Sequence, residues 1–206
     1  LNQVVIHRAL DEVFRSWSHV AVLRAPLDTT SGCTGSEVGR ISGMQPRSAL
    51  KALTSLEQLG IVRRQRGRRD HIFTLNRDHV LVRDAILPLY HSERQFPEAL
   101  FTTLAAILKS PLVSAVVFGS VAKREETPLS DLDLCCIVNT EKQKDAVREK
   151  LDGEAASLDR KFGVRVALLL FTVEELRAKS KSRLVKDIVD HGRLIAGKNL
   201  KVVLNG

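Results

Sequence analysis

The apolar run Val113-Ser114-Ala115-Val116-Val117-Phe118 ends in Gly119-Ser120, and Asp131-Leu132-Asp133 follows and opens a second apolar run, Leu134 to Val138. Two such runs bounded by polar residues predict neighbouring buried strands. Aspartates two apart on a strand point to the same face. Two carboxylates on one face are unfavourable unless a cation sits between them, and a hard divalent ion suits oxygen donors. Gly-Ser at the mouth of a short helix offers free backbone N–H groups to a phosphate. A plainer alternative is a polar turn between buried strands, with the aspartates capping backbone groups.

The constellation resembles the signature of the DNA polymerase β-like nucleotidyltransferases. In their small members it reads Gly-Ser, ten residues, Asp, any residue, Asp, and here the ten are Val121 to Ser130. The resemblance covers roughly residues 98 to 206. It implies a small mixed sheet binding a nucleoside triphosphate with Mg2+. Gly119 and Ser120 would hold the β- and γ-phosphates. Asp131 and Asp133 would be the metal ligands and catalytic carboxylates. Lys123 and Arg124, on the short helix that follows, are placed to assist the phosphates.

The family's third carboxylate is expected near the middle of the third strand. That strand reads Val164-Arg165-Val166-Ala167-Leu168-Leu169-Leu170, and the best alignment falls on Ala167. The strand has no acid, and Arg165 carries the opposite charge. Glu174 and Glu175 come later, and Glu175 reads as part of a capping box with Thr172. Loss of one ligand of the nucleophile-activating metal removes several kcal/mol of transition-state stabilisation.

The remaining pattern alternates around this centre. A helix is expected from about Glu141 to Lys161, a strand from Val164 to Phe171, and a helix from Thr172 to about Asp190. Arg193 to Ala196 and Lys201 to Leu204 read as short extended pieces, giving a sheet with helices on one side. The expected division is an N-terminal domain over 1–78, a helical connector over 79–109 and a nucleotidyltransferase-like domain over 110–206. Pro88 and Pro97 should break the connector into two or three helices.

In the N-terminal part, residues 3 to 16 read as a helix and His19 to Arg24 as a short strand. A helix from Gly35 to Ser42 and one from Gln45, with Pro46 at its first position, precede Gly60. Ala49, Leu50, Leu53, Leu56 and Leu59 form the second helix's apolar stripe. A hairpin follows: Ile61 to Arg66, a turn over Gly67 to Asp70, and His71 to Asn76. This order, with Leu56-Glu57-Gln58-Leu59-Gly60-Ile61-Val62 at the junction, resembles winged helix-turn-helix transcription regulators. The fold class is thus α/β (α+β).

The resemblance implies binding of double-stranded DNA. Gln45, Arg47, Ser48, Lys51 and Thr54 lie off the apolar stripe, where they can reach a major groove. Arg63, Arg64, Arg66, Arg68 and Arg69 crowd the hairpin with only Asp70 opposing them, and a phosphate backbone relieves that repulsion. The alternatives are an exposed, solvated charged hairpin, or a patch that binds an RNA or an acidic protein. Winged helices commonly bind as homodimers. The apolar positions Leu81, Ile86, Leu89, Leu104, Ile107 and Leu108 make the connector the candidate dimer element.

Composition is compatible with both halves. The 206 residues carry a net charge of +8, which favours a polyanionic partner. No apolar stretch approaches the roughly 18 residues of a membrane span. Leu1 to Leu10 is mixed and polar, unlike a signal peptide, and Leu in place of Met reads as a trimmed or processed chain. Cys33, Cys135 and Cys136 lack zinc-site spacing and fit a reducing, cytoplasmic setting.

Two functions stand side by side, and a third reading, an antitoxin-like repressor, combines them. One is a DNA-binding transcription regulator whose second domain senses a nucleotide. The other is an active Mg2+-dependent nucleotidyltransferase, since small family members with this signature include antitoxins that transfer adenylate to a partner toxin. The nucleotide and the acceptor are not set by the sequence.

Overall fold

The computed structural model describes residues 6–67, 70–109 and 111–205. They form a mixed α/β chain with two sheets. The chain divides into two compact units, Leu1–Gln95 and Phe96–Gly206.

In the first unit, α1 (Ala9–Val13) is shorter than the expected helix. The chain then turns at Ser16, whose hydroxyl accepts from the His19 amide and caps α2 (Trp17–Leu27). This corrects the strand expected over His19 to Arg24. Its short apolar run fits either a strand or a buried helix, and the cap settles it. β1 (Cys33–Thr34) leads into α3 (Gly35–Ile41), where Thr34 and Glu37 bond reciprocally to each other's backbone N–H. α4 (Pro46–Gln58) buries Ala49, Ala52, Leu53 and Leu56, while Leu50 of the expected stripe is exposed.

β2 (Val62–Arg66) and β3 (His71–Leu75) form the expected hairpin, and β1 joins β3 in a three-stranded antiparallel sheet. Phe73, Leu53, Leu56, Leu23 and Ile61 fill the core beneath it. A π-helical turn (Val82–Ile86) runs directly into α5 (Leu87–Ile107). Pro88 therefore sits inside a continuous helical run, where the wider turn before it accommodates a residue without an N–H. Pro97 lies inside α5 and does not break it, next to the boundary between the units.

In the second unit the strands are β4 (Ser114–Val117), β5 (Leu132–Val138), β6 (Val166–Thr172) and β7 (Arg193–Gly197). Their order is β6-β5-β4-β7, with β5 and β6 parallel and the other pairs antiparallel. A short helix, α6 (Gly119–Lys123), follows β4. α7 (Glu141–Phe162) links β5 to β6 and starts where the Gln143 side chain accepts from the Asn139 and Thr140 amides.

Helices cover both faces of this sheet, not one. Val147, Leu151 and Leu158 of α7, with Leu100, Phe101 and Leu104 of α5, pack on Leu132, Leu134, Cys136 and Val138. The opposite face, with Cys135 and Ile137, is covered by α8 (Val173–Ala178), α9 (Arg183–His191) and α10 (Leu200–Asn205). The long helix expected after Thr172 is interrupted because Ser182 caps a new start through the Val185 amide. The piece expected as extended over Lys201 to Leu204 is helical, with the Asn199 side chain accepting from the Lys201 amide and Val203 buried.

Candidate functional site

Gly119 has φ of +69°, a conformation that L side chains rarely adopt. A Cβ built there would lie 2.0 Å from Oδ2 of Asp133. The carboxylate thus rests in the space that glycine leaves. β4 and β5 fix this approach, with the Phe118 amide donating to the Asp133 carbonyl at 3.0 Å. The first amides of α6, beginning at Gly119 and Ser120, have no helical partner. The bend and the acid are therefore brought together as the spacing implied.

Asp133 is the one residue of β5 that is not fully buried. Burial pushes its carboxyl above the usual carboxylate range, and the charge of Asp131 adds to the shift. Asp131 immediately precedes β5, two residues from Asp133 and on the same face by alternation. It also lies 3.3 Å from Nε of Arg165. That contact follows from the register: Leu132 pairs with Val166, so the residues before them are neighbours.

Ala167 is the register partner of Asp133 on β6. Among the described residues there is no group of three or more His, Cys, Asp or Glu that could hold a metal ion. Glu175 is occupied elsewhere. It caps α8 through the Thr172 amide and pairs with Lys144, both of which hold its carboxyl below the usual range.

Lys123 points its ammonium at Asp187 of α9, at 2.8 and 3.0 Å from the two carboxylate oxygens. This pair, with His191 at 3.2 Å from the same carboxylate, keeps Asp187 ionised to lower pH than a free aspartate. Arg124 ends α6 with φ of +59° and is exposed. Asp187 was invisible in the sequence, where only its place in a helix was readable.

Residues 102–195 match the nucleotidyltransferase domain family. The matched segment holds Gly119, Ser120, Asp131, Asp133 and Ala167. A solved structure of a toxin–antitoxin with AMP-PNP is 15% identical, with 52% of this chain and 81% of that chain covered and a TM-score of 0.36. No curated protein matches the chain. The first unit lies outside the matched segment and carries the other candidate residues.

Arg47, Ser48 and Lys51 line a groove of about 1080 Å³ along α4. Arg15 and Trp17, which sequence reasoning missed, form its other wall, and Trp17 is 70% exposed. Gln45 precedes Pro46 at the start of α4. The hairpin arginines divide. Arg64 packs over Phe73 and bonds Glu57 and Thr54, and Arg63 pairs with Asp78 at 2.9 Å. Asp70 is therefore not the sole acid opposing these arginines. Arg66 is exposed at the end of β2, and Arg68 and Arg69 lie outside the described residues.

Proposed function

We propose that the chain binds a nucleoside triphosphate with magnesium in its nucleotidyltransferase domain and DNA through a winged helix-turn-helix in residues 1–78, acting as a nucleotide-sensing regulator. The observation that carries the nucleotide half is the Asp133 carboxylate seated against Gly119, with Asp131 beside it. Hard oxygen donors suit magnesium. Burial and the charge of Asp131 both raise the proton affinity of Asp133, and a cation beside it relieves this.

These residues fit one ion held by Asp131 and Asp133, and they do not fit the three-carboxylate set. Bound there, the ion would supply charge neutralisation for the triphosphate. Gly119 and Ser120 would orient the phosphates with their backbone N–H groups, and Lys123 and Arg124 border them. Arg165 lies 3.3 Å from Asp131 and compensates its charge. With Ala167 where the family's third acid is expected, an acceptor hydroxyl has no carboxylate to order its approach. Binding without efficient transfer is the consequence.

The test is titration calorimetry with ATP and GTP in magnesium, for the wild type and for Asp131→Asn/Asp133→Asn. Saturable binding lost in the double variant supports the reading. Equal heats in both refute it.

For the DNA half, support comes from the α3–α4 pair followed by the β2–β3 hairpin, and from the groove along α4 lined by Arg47, Ser48 and Lys51. Dimeric binding to paired half-sites belongs to this reading. The connector's apolar positions Ile86, Leu104 and Leu108 are buried in the chain's own cores, whereas Leu89 is exposed and available to a second copy.

The second reading is an active, antitoxin-like nucleotidyltransferase that modifies a partner toxin or other acceptor. It is favoured by the intact spacing from Gly119-Ser120 to both aspartates. Labelled triphosphate incubated with cell-extract acceptors distinguishes the two.

A further inference from the structure

Residues 96–206 carry 18 Lys and Arg against 15 Asp and Glu, so most of this unit is close to neutral. Five of those cations fall between Arg177 and Lys186, a stretch without a single acid. It covers the end of α8, the turn to α9 and the first part of α9, and all five cations are exposed. Two of them have structural contacts. Arg177 donates to the Val203 carbonyl at 3.1 and 3.3 Å, and Lys179 lies over the Phe171 ring. These contacts fasten the turn to α10 and β6. Among the described residues no acid pairs with Lys181, Arg183 or Lys186.

Position on α9 ties this cluster to the bend after β4. Val185 and Ile188 are buried, which sets the inward face of α9. Arg183 is four residues before Asp187, so the two lie one turn apart on the same outer face. Asp187 is the partner of Lys123 on α6. The chain therefore places unpaired cations one helical turn from the residue that contacts the helix of the Gly-Ser bend. Like charges that no acid pairs repel one another, and a ligand carrying regularly spaced negative charge removes that repulsion.

We propose that Lys181, Arg183 and Lys186 form a second nucleic-acid surface, separate from the α4 groove, which holds the phosphates of a strand beside the nucleotide site. Lysine and arginine both take phosphate oxygens well, and each neutralised phosphate releases counterions. A lipid surface is less suited, because Leu184 is the only large apolar side chain exposed within the stretch. The surface does not depend on nucleotide binding, and its test is independent of it.

The experiment uses the full chain with Arg47→Ala, Lys51→Ala and Arg66→Ala, which weakens the contribution of the first unit. Fluorescence anisotropy then follows a labelled single strand and a labelled duplex across a salt series. Adding Lys181→Ala, Arg183→Ala and Lys186→Ala should lower affinity at least tenfold at low salt. The log–log salt slope for the single strand should fall by about 2, from about 0.7 per cation lost. The charge-preserving set Lys181→Arg, Arg183→Lys and Lys186→Arg should bind like its background. Heats of ATP binding should be the same in all three proteins, and Asp131→Asn/Asp133→Asn should leave strand binding intact. An unchanged slope in the alanine set, a background that binds no nucleic acid, or loss of binding only to polyglutamate or phosphatidylserine vesicles overturns the proposal.

Discussion

Asp133 and Ala167 are register partners across the parallel pair of β5 and β6, on the same face of the sheet. Ala167 is exposed, so its replacement meets no packing cost of the kind found in a core. Ala167→Asp would set a third carboxylate beside the proposed metal site. The expected outcome is a gain of magnesium-dependent nucleotidyl transfer of tenfold or more, equivalent to about 1.4 kcal/mol of barrier. Label transfer from a triphosphate, compared between variant and wild type, measures it. No gain alongside unchanged nucleotide binding would show that something other than the missing acid limits the reaction.

Gly119→Ala tests the seat of Asp133. The substitution meets the carboxylate and forces a left-handed backbone on an L residue, a strain of about 1–2 kcal/mol. A lower melting temperature and loss of nucleotide binding are expected together. A variant that binds the triphosphate normally would place the phosphates away from this bend.

Lys123 is held by Asp187. Asp187→Asn frees the ammonium and should tighten triphosphate binding by about twofold to fivefold, a small effect because the pair is partly exposed. Calorimetry reads it. Weaker binding in the variant would mean that the ion pair itself shapes the site.

Two arginines on the same hairpin should behave differently. Arg64 is packed against Phe73 and paired with Glu57, so Arg64→Ala should lower unfolding stability by about 1.5–3 kcal/mol. Arg66→Ala should leave the urea midpoint unchanged, weaken DNA binding, and reduce the salt slope by about 0.9. Equal effects on both measurements from both variants would contradict this division.

Much of the second unit could be read from the chain because its signals were local and redundant. Val113 to Phe118 and Leu134 to Val138 are apolar runs bounded by turn residues, and Thr172 with Glu175 is a cap written in two letters. α2 escaped because His19 to Arg24 is too short for its period to separate helix from strand. α10 escaped because a helix of six residues, under two turns, is too short to show a period. The hairpin arginines misled for a different reason. Charge is additive along a sequence, but its compensation is set by the fold: Glu57 and Asp78 reach Arg64 and Arg63 only once α4 and the segment after β3 have packed. Arg165 stood out in the sequence as a wrong-signed charge. Its approach to Asp131 depends on parallel register, which no local pattern reveals.

β6 lies at the margin of its sheet, and its position 167 projects into solvent while Leu134 through Val138 are clamped between two layers of helices. Packing of the core is thereby independent of which residue stands at position 167. A side chain at that border position can be exchanged with the scaffold indifferent to it, so on the proposed function a single substitution separates a receptor from a catalyst.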